Sequence, residues 1–78
     1  MEQFNIEHQY QLYLKRCKLE ESKMGAQQKI ETRRAFFGAA GQLLILFRDD
    51  VSALPEKEGV NALQKMLVET SIIWEAQK

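Results

Sequence analysis

Apolar positions recur at helical spacing along nearly the whole chain. Between Asn5 and Leu19 they fall at Ile6, Tyr10, Tyr13, Leu14 and Cys17, the alternation of three and four that marks one face of a helix. Asn5 precedes the stripe and has a side chain able to accept from the free amides of a first turn. Phe4 is placed to pack back on that helix. Glu7 near the start and Lys15, Arg16 and Lys18 near the end suit the helix dipole. Leu12 lies off the stripe, which predicts contact with two neighbours. The spacing predicts a first helix over 5–19.

Periodicity lapses from Glu20 to Gly25, where Ser22 and Gly25 are the natural breakers and Met24 is expected beneath the connection. A turn here is favoured over one unbroken helix from 5 to 51. In the next segment Ile30, Phe37, Leu44 and Val51 repeat every seven residues, Ala40 and Phe47 fill the other seam position, and Arg33 sits where a third would be. Phe36, Leu43 and Leu46 make a second apolar face. The spacing predicts a second helix over 26–51 with two sets of neighbours. Its middle, Ala35 to Phe47, is apolar or glycine except for Gln42 and too continuous to face water.

Gly38 and Gly41 lie inside this helix, where each costs about 1 kcal/mol relative to alanine. With Ala35, Ala39 and Ala40 they form a strip without bulk. Close approach of another helix explains such a strip better than a ligand does. The interface candidates are therefore Ala35, Phe36, Phe37, Gly38, Ala40, Gly41, Leu44 and Phe47.

Pro55 is expected at the first helical position of a third helix, 55–76, where its missing N–H leaves nothing unpaired. Glu56 and Glu58 suit the same positive end. Val60, Leu63, Leu67 and Trp74 share a stripe, flanked by Met66, Ile72 and Ile73. No segment alternates like a strand. The expected fold is all-α: a three-helix bundle, or a helical hairpin with an extra helix, paired with a second copy.

Size sharpens that last expectation. The chain has 78 residues, one domain at most, and chains this short bury only about 60% of their unfolded surface. Extra staples are usual at this size. An internal disulfide is excluded because Cys17 is the single cysteine. One Cys and one His, His8, make a structural zinc a poor reading. Regular helix packing and self-association remain.

Net charge is zero, with 11 basic and 11 acidic residues, which disfavours a dedicated nucleic-acid binder. The start of the chain lacks a signal-peptide pattern. The apolar run of 13 residues falls short of the roughly 20 that span a bilayer. A lone cysteine fits a reducing compartment. A cytoplasmic protein without a membrane span is expected.

Candidate chemistry is sparse. His8 has no orienting carboxylate in a recognisable pattern and reads as a surface residue. Cys17 reads as a buried, inert thiol. Asp49, Asp50, Glu56 and Glu58 gather near a turn, but the paired acids one helical turn apart that hold magnesium in helical nucleotide pyrophosphohydrolases are missing: the chain contains no ExxE or ExxD. No catalytic residue, metal ligand or cofactor site is assigned.

The most suggestive polar feature is a bracket. Arg33 and Arg34 precede the apolar run, and Arg48, Asp49 and Asp50 follow it. These charges keep the ends of a buried helix in water, or pair across an antiparallel dimer and fix its register, or form a site for an anion or partner. A second feature is a basic lean: residues 1–34 carry seven basic and five acidic groups, against four and six in 35–78.

The stretch Glu31-Thr-Arg-Arg-Ala-Phe-Phe-Gly-Ala-Ala-Gly-Gln, with the later Leu-Phe-Arg48-Asp49-Asp50, resembles short helical proteins of bacteriophages and mobile elements of Bacteroides-type bacteria. The resemblance covers mainly residues 28–75 and implies no activity. The expectation is a non-enzymatic helical protein that self-associates as a homodimer and acts by binding another protein. The alternative is a small nucleic-acid- or nucleotide-binding module using Lys15, Arg16, Lys18, Lys23, Lys29, Arg33 and Arg34, with Phe4, Tyr10 and Tyr13 nearby.

Overall fold

A computed structural model describes residues 1–77. Among them the chain is all-α. Three helices follow one another, α1 (Ile6–Arg16), α2 (Ala26–Asp49) and α3 (Glu56–Ala76). Single 3-10 turns occupy Glu2–Phe4, Glu21–Lys23 and Val51–Ala53. Contacts gather into two compact units, Met1–Leu43 and Leu44–Lys78.

The first unit begins with the cap that the sequence predicts. Asn5 is extended, and its side-chain oxygen accepts the His8 backbone N–H at 3.0 Å. Phe4 does not pack back; it is exposed in the preceding turn. The Gln9 side-chain amide donates instead to the Gln3 carbonyl at 2.9 Å.

Helix α1 stops at Arg16, three residues before the periodicity ends. The cause lies at Lys18, whose φ of 59° is left-handed. The Leu19 N–H then turns back to the Leu14 carbonyl at 2.9 Å, and the Cys17 N–H reaches the Tyr13 carbonyl at 3.0 Å. The six-to-one bond across a left-handed residue is the Schellman way of ending a helix. Glycine usually holds that position, so composition gives no warning of the stop.

Tyr10 and Leu14, one turn apart on α1, are the buried side chains of this unit. Tyr10 packs on α2, with its ring centre 5.2 Å from that of Phe36 and 5.7 Å from that of Phe37. Tyr13 also meets Phe36, at 5.2 Å. Tilted aromatic contacts of this kind are favourable beyond the area they bury. An aromatic cluster thus fastens α1 to α2.

The second unit is thinner. It comprises the end of α2, a turn and α3. Pro55 is the residue before α3 rather than its first helical residue, with φ −54° and ψ 148°. The first turn of α3 packs on the turn below it: a Cβ at Gly59 would sit 3.4 Å from the Val51 carbonyl oxygen, at van der Waals contact. Leu46, Val51, Leu54, Ala62 and Met66 line a cleft of about 450 Å³ with Asp50, Lys65 and Glu69. No described side chain of this unit is fully buried. Val60 and Leu67 on α3 are 59% and 53% exposed, and Leu63 and Ile73 are exposed too.

Candidate functional site

The polar centre of the first unit is Arg33. Its Nη1 and Nη2 donate to the two carboxylate oxygens of Glu7 at 2.7 and 3.0 Å. Its Nε and Nη2 donate to Glu21 at 2.8 and 3.1 Å. The guanidinium carbon also lies 4.9 Å from the Tyr10 ring centre. One planar fork therefore joins α1, the connecting turn and α2, a task suited to arginine because its five donors are fixed in a plane. Gln11 reinforces the joint, with its amide 2.7 Å from Glu7 and 3.5 Å from Glu21.

These contacts hold the Glu7 and Glu21 carboxyls below their usual range, mainly through hydrogen bonds from Arg33. The same bonds raise the Arg33 guanidinium. Tyr10 moves upward because burial disfavours the phenolate. Its hydroxyl is buried and has no hydrogen-bond partner among the described residues.

The charge bracket resolves into separate parts. Arg33 is taken by Glu7 and Glu21. Arg48 donates to its neighbour Asp49 at 2.7 and 3.0 Å, which lowers the Asp49 carboxyl and raises Arg48. Arg34 and Asp50 are exposed and make no ion pair among the described residues. They are the members of the bracket left available to another molecule.

The interface candidates divide similarly. In the first unit Phe36 is half-buried by Tyr10 and Tyr13, and Ala40 and Gly41 are half-buried. Ala35 and Gly38 are exposed, and Phe37 remains 37% exposed despite its contact with Tyr10. A Cβ added at Gly38 or Gly41 would meet nothing within 4 Å. Close packing inside this unit therefore does not account for the bulk-free strip. Ile30, one heptad before Phe37, is 54% exposed. In the second unit Leu44 is exposed and Phe47 half-buried.

Other candidates gain little. His8 is half-buried, and its backbone rather than its ring makes the cap contact. Cys17 is half-buried at the end of α1, not within its stripe, and a side-chain hydrogen bond with it raises Tyr13. No group of three His, Cys, Asp or Glu side chains is arranged to hold a metal among the described residues. No described helix is long and apolar enough to cross a membrane.

Glu7 and Glu21 are the structural residues that sequence patterning missed. They lie 26 and 12 positions from Arg33. A signal was present: Glu7 borders the Tyr10–Leu14 stripe and Arg33 interrupts the Ile30–Phe37 stripe. Opposite charges beside two facing apolar stripes are candidates to meet. No protein-family model, curated protein or solved structure matches the chain.

Proposed function

We propose that this chain is a non-enzymatic helical protein that self-associates through apolar helix faces and works by binding another protein. One observation carries the reading. Ile30 and Phe37 on α2, and Val60, Leu63 and Leu67 on α3, repeat at helical spacing and stay exposed in their respective units. Monomers rarely leave contiguous apolar patches above a few hundred Å² in water. Spacings of three, four and seven are those by which helices mesh with other helices.

A second copy is the favoured occupant. The strip at Gly38 and Gly41 is open to a close backbone or to a ring such as Phe37 of another copy. Arg34 and Asp50 supply opposite charges for register. A role as an accessory product of a phage or mobile element accords with this kind of small adaptor. Light scattering at micromolar concentration is the test. A mass near twice the 9.1 kDa of one chain supports the proposal. A stable 9.1 kDa species across the range rejects it.

A further inference from the structure

The first unit carries a basic cleft that the aromatic cluster and the Arg33 joint do not use. Lys15, Lys18, Leu19, Glu20, Lys23, Met24 and Gln28 line about 490 Å³ where α1 ends, the connection turns and α2 begins. That volume lies within the range of small-ligand sites. Three lysines face one carboxylate. Glu20 is already bonded to Lys23 at 2.9 Å. Lys15 and Lys18 have no ion-pair partner among the described residues. Leu19 and Met24 give the cleft an apolar wall, and Gln28 adds an amide.

Lys18 is the telling residue. It occupies the left-handed position that ends α1, with φ 59°. That conformation is unfavourable for a residue with a Cβ, and glycine adopts it freely. A lysine therefore stands where the backbone favours glycine, and that residue lines the cleft. The helix end accounts for a positive charge near the last turn, but Lys15 and Arg16 already supply that.

We propose that this cleft binds a small phosphorylated ligand with an apolar or planar body, of the nucleoside diphosphate class. Lys15 and Lys18 would hold the phosphates, and Leu19 and Met24 would cover the body. Arg33, occupied by Glu7 and Glu21, takes no part. Nucleic acid is the competing occupant, and its affinity would come from many backbone contacts rather than one cleft.

The test is a titration of the full chain with ADP, inorganic pyrophosphate and a short single-stranded oligonucleotide, followed by amide chemical shifts and calorimetry. ADP should bind more tightly than pyrophosphate, with shifts centred on residues 15–28. Lys18→Gly should leave the thermal midpoint unchanged or higher while weakening ADP by about tenfold or more, as loss of a charge-assisted bond implies. Lys15→Gln should weaken ADP similarly. The proposal is overturned if ADP gives no localised shifts at millimolar concentration, if Lys18→Gly binds ADP as the parent does, or if the oligonucleotide binds more tightly than ADP with shifts spread beyond the cleft.

Discussion

The Arg33 guanidinium lies over the Tyr10 ring, 4.9 Å from its centre, while it donates to the carboxylates of Glu7 and Glu21. The charge sits on the edge of the unit's small apolar core and draws three segments onto it. Partly exposed ion pairs are weak singly, but two bidentate contacts on one guanidinium restrict its geometry.

The pH dependence follows from Glu7 and Glu21. Both carboxyls are held below the usual range, mainly by Arg33. A carboxyl lowered in the folded state binds fewer protons than in the unfolded chain. Its stabilisation is therefore present above the unfolded value, about 4.3 for glutamate, and fades as pH falls through the lower folded value. Thermal midpoints should be level near neutrality and drop below about pH 4.3. Arg33→Gln should lower the midpoint at pH 7 and flatten the acid-side slope. An unchanged slope would remove Arg33 as its cause.

Tyr10 offers a substitution with the opposite sign. Its ring is fully buried and its hydroxyl has no partner among the described residues. A buried polar group without a hydrogen bond costs about 1–3 kcal/mol. Tyr10→Phe keeps the contacts with Phe36 and Phe37 and should stabilise by about 1 kcal/mol. Tyr10→Ala should destabilise by about 3–5 kcal/mol, as large-to-small aromatic changes do. Urea unfolding of the pair measures both, and destabilisation by Tyr10→Phe would mean that the hydroxyl has a partner.

Asn5 tests the local account of α1. Its side chain accepts from His8 at 3.0 Å, and replacing such a cap by alanine costs about 1 kcal/mol. Asn5→Ala should raise amide exchange in α1 and leave exchange in α3 unchanged. Equal effects on both helices would show that the cap is not a local feature.

The glycines separate folding from assembly. Space at Gly38 is open within the first unit, so Gly38→Ala should gain about 1 kcal/mol of helix propensity. Gly38→Leu should leave α2 helical yet fill the strip and weaken self-association. Circular dichroism with light scattering reads the two effects apart. A leucine variant that associates like the parent would place the interface elsewhere.

Much of this architecture is legible in the periodicity. Ile6, Tyr10 and Leu14, then Ile30, Phe37 and Leu44, then Val60, Leu63 and Leu67 mark three helices because the 3.6-residue turn imposes that spacing. The stop of α1 is not legible, because Lys18 adopts a conformation that sequence reserves for glycine. The Arg33 joint is hidden for another reason: Glu7 is 26 residues away, and only the packing of Tyr10 on Phe36 brings α1 alongside α2. The strip at Gly38 and Gly41 is legible as small, but the sequence does not say that it stays open.

The proposed self-association is tested most directly by the thermal midpoint as a function of protein concentration. Where the exposed stripes at Ile30 and Phe37 and at Val60, Leu63 and Leu67 finish their burial on another copy, folding and association are linked by mass action. The midpoint should then rise steadily with concentration from low micromolar to several hundred micromolar, and Gly38→Leu should reduce that rise. A midpoint independent of concentration, with the 9.1 kDa mass throughout, would contradict the account.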